Sequence, residues 1–369
     1  MAQETINTET LRVMLDQGQP VTVLDIRPAD ERAEWAIPGS IHVNAYGALK
    51  ANDPEALAGV NLPDDGPVVT VCAAGVTSAT AASQLRARGR QSWSLEGGMK
   101  AWSLAWNIAE APLPDDSAQV VQVRRTGKGC LSYLIGSGGE AAVIDAALDP
   151  EIYLDLAQER GWRITHVLDT HVHADHLSRG RKLAEMSGAA FYLPATERVS
   201  YPVTAVHNGD VLTIGTAQLE ALHTPGHTPE SASYLLNGQA LFTGDTLFLT
   251  GVGRPDLEAN REAARRRAHT LYHSLQSLLT LPSKTLVFPG HTGDPVAFDG
   301  RAVVDSLETV QERVQLLHVP EETFAESLLA RLPPTPPNHH RIVELNEMGQ
   351  LPDSDPTELE AGANRCAIS

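Results

Sequence analysis

At 369 residues the chain exceeds what one hydrophobic core ordinarily supports, so two domains are expected. Its 42% hydrophobic and 20% charged residues are those of a soluble globular protein. The formal net charge of −18 excludes the positive footprint that nucleic acid or an anionic membrane surface needs, yet a local Arg or Lys could still receive a small anionic substrate.

At the start, Met1-Ala2-Gln3-Glu4-Thr5 lacks the basic and apolar blocks of a signal peptide. β-Branched runs at 21–26 and 68–71 then alternate with a helical pattern at 77–87, which predicts a parallel sheet covered by helices. The second run ends on Cys72, followed by a loop of small residues, Ala73, Ala74, Gly75, Val76, Thr77 and Ser78. Backbone N–H groups of such a loop, backed by a helix N-terminus, can converge on one sulfur and favour its thiolate or persulfide anion. The loop has no Arg or Lys, so a persulfide or polysulfide donor suits it better than a dianionic one.

Ala111-Pro112-Leu113-Pro114-Asp115-Asp116-Ser117 reads as a stiff, solvated linker dividing domains at 1–112 and 118–369. Beyond it, strands are expected at 120–123, 131–135, 141–144, 164–168, 217–223, 233–236 and 286–288, with helices at 150–160, 178–187 and 259–279. That order suggests two packed sheets flanked by helices. From about residue 305 the tail is helical, then Pro-rich at 332–337, and is expected to strap across the second domain. No apolar stretch is long enough to span a bilayer. The three cysteines are far apart and make no disulfide framework, as in a reducing cytoplasm. Cys130, near a strand start, reads as packing, and Cys366 lacks the setting of a sulfur carrier.

The strongest local signal is His171-Val172-His173-Ala174-Asp175-His176. A fixed H-x-H-x-D-H arises by chance about once in a thousand such chains. Alternate residues at a strand end can point the same way, and imidazoles with a carboxylate suit zinc or iron rather than calcium or magnesium. His227, Asp245 and His291 each follow an expected strand beside Gly or Pro, where functional groups gather. His166, His207, His318 and His339 read as ordinary exposed histidines.

These segments resemble the metallo-β-lactamase superfamily from about residue 120 to 291, with all seven metal-binding positions present. Thr246-Leu247-Phe248-Leu249-Thr250-Gly251-Val252-Gly253-Arg254-Pro255-Asp256-Leu257 resembles the G-x-GR-x-D segment of its persulfide dioxygenases, as do 170–176 and Leu271-Tyr272-His273-Ser274. That resemblance implies one Fe(2+) per chain held by His171, His227 and Asp245, a triad with open positions for substrate sulfur and O2. It leaves His173, Asp175, His176 and His291 to orient the ligands and a water network. Arg254 would grip a glutathione carboxylate or else pair with Asp256, and Tyr272 would line the substrate pocket. Thr292-Gly293 stands where that family often has Asp-Tyr, a departure that bears on the rim of the substrate pocket and not on the iron. The seven positions also permit a glyoxalase II-type thioesterase with a binuclear zinc or mixed-metal site.

Leu24-Asp25-Ile26-Arg27, Ile37-Pro38-Gly39-Ser40-Ile41-His42, the Cys72 loop and Leu95-Glu96-Gly97-Gly98-Met99-Lys100-Ala101-Trp102 together resemble a rhodanese domain. The combined expectation is an α/β chain, with a rhodanese-like parallel-sheet domain followed by an αβ/βα metallo-β-lactamase sandwich. It would oxidise glutathione persulfide to sulfite and glutathione, with Cys72 carrying sulfane sulfur to or from sulfite and thiosulfate. Its partners would be these small molecules, and the family suggests a homodimer through the second domain.

Overall fold

The computed structural model describes residues 4–362 and 364–368. The first domain is built on a parallel sheet of β1 (Thr5–Ile6), β2 (Thr22–Asp25), β3 (Ile41–His42), β4 (Val68–Val71) and β5 (Ser92–Leu95), ordered β1-β5-β4-β2-β3. Central strands β2 and β4 are buried at every position, because helices cover both faces of a parallel sheet. That is why they lack the apolar–polar alternation of a half-exposed strand, with Thr22, Asp25 and Thr70 buried among their apolar neighbours.

The second domain packs two sheets face to face. One holds β6 (Asn107–Ala111), β7 (Gln119–Arg125), β8 (Cys130–Ser137), β9 (Glu140–Ile144), β10 (Arg163–Leu168), β11 (Ala190–Pro194) and β12 (Thr204–Val206) in chain order. The other contains β13 (Val211–Ile214), β14 (Ala217–His223), β15 (Ala232–Leu236), β16 (Ala240–Gly244), β18 (Leu286–Pro289) and β19 (Asp305–Ser306). Short β17 (Val252–Gly253) pairs instead with the chain's last strand, β20 (Ala367–Ile368).

Leu131, Tyr133, Ile135 and Leu168 from one sheet meet Leu219, Tyr234, Phe242 and Phe288 from the other. The ring of Tyr133 sits edge-on to Phe242 at 4.9 Å and to Phe288 at 5.5 Å. Each such side chain contributes about 1.5–3 kcal/mol by leaving water. Helices Pro150–Glu159 and Gly180–Ser187 cover the outer face of the first sheet, and Arg261–Leu278 covers the second.

Two sequence expectations need correction here. The segment read as a linker is a hairpin turn, since Asn107–Ala111 pairs antiparallel with Gln119–Arg125 and so belongs to the seven-stranded sheet of the second domain. The first domain therefore ends before residue 107. Pro112 and Pro114 mark the turn between strands, which shares linker composition because both must be solvated. Second, His339 is buried rather than exposed.

The domains meet closely. Trp35 Nε1 donates to Thr126 O at 3.1 Å, and Arg125 Nε donates to Ser103 O at 2.7 Å. A Cβ on Gly127 would lie 1.8 Å from Trp102 O, so only glycine allows that approach. The tail crosses the second domain through helices Leu307–Arg313, Glu321–Ala330, His339–Met348 and Thr357–Glu360 before β20. Among the described residues, no helix is long and apolar enough to cross a membrane.

Candidate metal centre

The loop after β10 carries the histidine-rich motif, and buried polar contacts shape it. Asp145, at the end of β9 with φ of 55°, accepts from Thr170 N at 2.7 Å and from Thr170 Oγ1 at 2.9 Å. With its hydrogen directed to Asp145, that hydroxyl accepts from His171 Nδ1 at 2.9 Å. The Nε2 lone pair of His171 is thereby turned inward. Asn346 fastens the rest of the loop, donating to His173 O at 2.8 Å and His176 O at 2.9 Å.

His227 stands in the turn after β14, where Gly226 lies so close that a Cβ would come within 2.4 Å of Leu271 Cα. Its Nδ1 donates to the carbonyl of Arg254 at 2.8 Å, which also commits Nε2 to the lone-pair form. Asp245 follows β16, whose register against β18 shifts between Phe242 and Gly244. Such an irregularity re-aims a side chain at a strand end.

These three converge. Asp245 Oδ2 lies 3.9 Å from His171 Nε2 and 3.7 Å from His227 Nε2, too far for hydrogen bonds. One ion with bonds of about 2.0–2.2 Å could span them after a small contraction. Asp245 Oδ2 and His171 Nε2 are buried without partners, a costly state unless a ligand takes them up. Burial and the neighbouring His173 push His171 well below the ordinary histidine range, and burial lowers His227 too. Neutral imidazoles beside a carboxylate are a fitting donor set for a transition metal.

The other motif residues form a second set, each histidine hydrogen-bonded through one ring nitrogen, while His173 Nδ1, His176 Nε2 and His291 Nε2 have no partner. His173 Nε2 rests on Asp145 Oδ1 at 3.1 Å, and His176 Nδ1 on Asp175 Oδ1 at 3.0 Å. His291 Nδ1 donates to Asp245 Oδ1 at 2.6 Å, and its Nε2 lies 2.8 Å from Asp175 Oδ2, out of hydrogen-bond alignment. Burial opposes charge on His176 and His291, but Asp175 overrides it, raising His176 to about 10 and His291 well above its usual value.

Two cysteines without an assigned role sit here. Cys130 Sγ is 3.5 Å from Asp175 Oδ2 and groups with Asp175, His176 and His291 as potential ligands. Burial and Asp175 would raise its thiol, but His291 and His176 bring it down to about 6. Cys366 groups with Asp245 and His291, and burial with the Asp245 carboxylate raises its thiol well above normal. Cys130, read from the sequence as packing, is buried, and the structure adds these potential ligand neighbours to it and to Cys366.

Family models match a rhodanese-like domain over residues 7–105 and the metallo-β-lactamase superfamily over 125–291. The solved structure of ETHE1 from Myxococcus xanthus is 33% identical, with 62% of this chain and 97% of that one covered and a TM-score of 0.54. The chain belongs to the metallo-β-lactamase superfamily. A second superfamily structure, a metallo-β-lactamase from Staphylococcus aureus, is 30% identical over 64% of this chain and 74% of that one, with a TM-score of 0.58. Hydroxyacylglutathione hydrolases of Rhizobium johnstonii and Rhodospirillum rubrum are 37% and 38% identical over 42% of this chain. The chain spans only 57% of the length of those curated relatives.

Other expected residues of this metallo-β-lactamase domain have different surroundings. The Arg254 guanidinium spends all five N–H donors on protein: a fork on Asp256, and the carbonyls of Pro333, Pro334 and Arg365. Of its two expected roles, the Asp256 pair is the one formed, and the side chain clamps the tail. Tyr272 packs against Phe324, on the tail's helix. In the rhodanese-like domain, Cys72 is buried, and Ser78 hydrogen-bonds its sulfur through N–H at 3.4 Å and hydroxyl at 3.3 Å. Gly75 turns the loop at φ of 83°, and Gly98 packs where a Cβ would meet Cys72 O at 2.2 Å.

Sequence reasoning missed Asp145, Asn346, Glu360 and Asn364. Asp145 alone left a signal, as an acid ending an apolar strand. The others come from a tail whose place over the site has no local signature.

Proposed function

We propose that the chain is a persulfide dioxygenase joined to a sulfurtransferase domain. It would convert glutathione persulfide, O2 and water to glutathione and sulfite, with both O2 atoms going to the terminal sulfur. The observation that carries this reading is the contrast between the two ligand sets. His171, His227 and Asp245 Oδ2 converge on one point with no hydrogen bond among them, while Asp175 accepts from His176 and from Asn364 Nδ2 at 2.8 Å. That asymmetry favours one ion over two.

Iron(II) held by His171, His227 and Asp245 would supply an open-sided redox centre. The chain's own residues do the rest. Asp145 through Thr170, and the Arg254 carbonyl, hold the two imidazoles in their ligating tautomer. A cavity of about 320 Å³ reaches His291 and is lined by Phe248 and Leu249 and by Arg124, Arg301 and Arg313 against Asp294 and Asp299. Arg124 is paired with Asp299 and Arg313 with Asp305, which leaves Arg301 to meet an anionic thiol such as glutathione. A larger concavity of about 1400 Å³ lies between helix Arg261–Leu278 and the tail, and none of the seven motif residues lines it.

In the first domain, Cys72 thiolate would attack the outer sulfur of a persulfide and release the donor thiol. The resulting Cys72 persulfide anion would be held by Ser78 N–H and hydroxyl. A reducing cytoplasm suits both reactions.

A second reading, a binuclear glutathione-thioester hydrolase, has its own support in the hydroxyacylglutathione hydrolase relatives and the retained Asp175, His176 and His291. Purification without oxygen, metal counting and O2 uptake with glutathione persulfide separate the two. One iron with substrate-dependent O2 uptake is expected. Two metals and thioester hydrolysis without O2 uptake would overturn the dioxygenase reading. Cys72→Ser should abolish sulfur transfer and leave O2 uptake near wild type; loss of both would mean the domains do not work separately.

A further inference from the structure

Beside the His171–His227–Asp245 point lies a second potential ligand pocket. Cys130, Asp175, His176 and His291 each place one ligand atom within 4.8 Å of the others, all buried, and His176 Nε2 has no partner. Such a soft, mixed donor set would ordinarily take a transition metal. What distinguishes it is that the C-terminal strap reaches into it.

The delivery is specific. β17 runs over the ligands, close enough that a Cβ on Gly253 would lie 2.0 Å from Asp245 O and 3.2 Å from His227 Cβ. β20 pairs with β17, Ile368 opposite Val252 and Ala367 opposite Gly253, and Arg254 N donates to Cys366 O at 3.0 Å. Cys366 N in turn donates to Asn364 Oδ1 at 2.9 Å, which leaves the Asn364 amide NH2 facing Asp175 Oδ2 at 2.8 Å. An amide NH2 offers hydrogens and no lone pair to a metal, so it stands on one lone pair of Asp175 Oδ2 without being able to serve as a ligand itself. Cys366 fills the adjoining space against Asp245 and His291.

We propose that the C-terminal strap sets the metal count of this centre, with Asn364 and Cys366 closing the Cys130–Asp175–His176–His291 pocket so that one ion binds and a second is refused. The strap is thus a specificity element for the metal, acting on Asp175 and His291 rather than on the ion at His171. Its clamps serve that role. Arg254 grips the carbonyl of Arg365, and Glu360 is fixed by Arg179 and Arg125. The inference rests on the one-metal reading above.

The test counts metal in the full chain, wild type against Asn364→Asp, Cys366→Ser and the double variant, after equilibration with excess zinc(II) and gel filtration. Asn364→Asp sets two carboxylates against each other at a hydrogen-bond distance, a repulsion that a bridging cation relieves. Wild type should hold one ion per chain and the double variant two, with unchanged circular dichroism. In the double variant loaded with cobalt(II), the second equivalent should bring a sulfur-to-metal charge-transfer band that a further Cys130→Ser change removes. One ion in both wild type and a folded double variant would overturn this inference and leave the dioxygenase reading standing. Two ions in the wild type would overturn both. A charge-transfer band already present with the first equivalent and lost in Cys366→Ser would also overturn it, because Cys366 would then be a ligand and not a plug.

Discussion

At the scale of single residues, the metal centre depends on hydrogen bonds one step removed from any ligand atom. His171 faces inward because Thr170 accepts its Nδ1 hydrogen, and Thr170 does so because Asp145 takes the hydroxyl hydrogen. Thr170→Val keeps size and burial but breaks that chain. Metal affinity should fall about 10–100-fold with every ligand still in place, as read by competition with a chelator of known affinity. An affinity within twofold of wild type would show that the loop backbone alone orients His171. Only a carbonyl meets His227 on its far side, so no side-chain substitution offers the equivalent experiment there.

At the scale of elements, the strap is held by buried charge rather than by apolar packing alone. Glu360 is wholly buried, accepts from Leu177 N at 2.6 Å and is paired with Arg179 at 2.8 Å and Arg125 at 3.3 Å. Glu360→Gln removes the charge and strands two buried guanidinium groups, which should cost about 3–5 kcal/mol in urea unfolding at neutral pH. Burial works against ionised Glu360, but Arg125 and Arg179 prevail and hold its carboxyl well below the usual range. A depressed folded value means the stabilisation is complete above the unfolded glutamate value of about 4.3 and is lost as pH falls below it toward the folded value. The gap between wild type and variant should therefore narrow in acid; a gap constant from pH 7 to 3 would contradict the assignment. Arg254→Lys keeps one charge and loses the fork, leaving the carbonyls of Pro333, Pro334 and Arg365 short of donors. It should cost about 1–3 kcal/mol and speed hydrogen exchange of the backbone at 366–368.

At the scale of the whole molecule, two domains share a close junction beside the site. Trp35, from the first domain, is buried against Gly129, whose Cβ would come within 2.9 Å of its ring and 2.5 Å of Thr292 O, next to His291. Lys100, whose backbone N–H donates to Ala73 O of the Cys72 loop at 3.0 Å, pairs with Glu358, and Arg365 pairs with Glu34 at 3.1 Å. The strap therefore touches both domains before it enters the metal centre. Trp35→Ala should loosen this junction and split thermal unfolding into two calorimetric transitions while metal content holds. A single transition at a lower midpoint would show instead that the domains remain one cooperative unit.

The fold class was legible because local patterns carried it. Buried parallel strands such as Val68–Val71 are β-branched throughout, and helix Val76–Ala87 follows a small-residue turn that hardly any other element requires. The motif positions were legible for a similar reason: ligands at strand ends keep fixed local spacing, so His171, His173, Asp175 and His176 stand together in the chain. Composition could not separate a linker from a hairpin turn at 111–117, since both need Pro and charge and differ only in whether the flanking strands pair. Nor could it place Cys130, Asn364 and Cys366. The sequence by itself determined two domains, their order, and the seven histidine and aspartate motif positions. Tertiary structure decided which of them are left open and which are already engaged, because that depends on contacts such as Asn364 to Asp175, 189 residues apart, that no local pattern encodes.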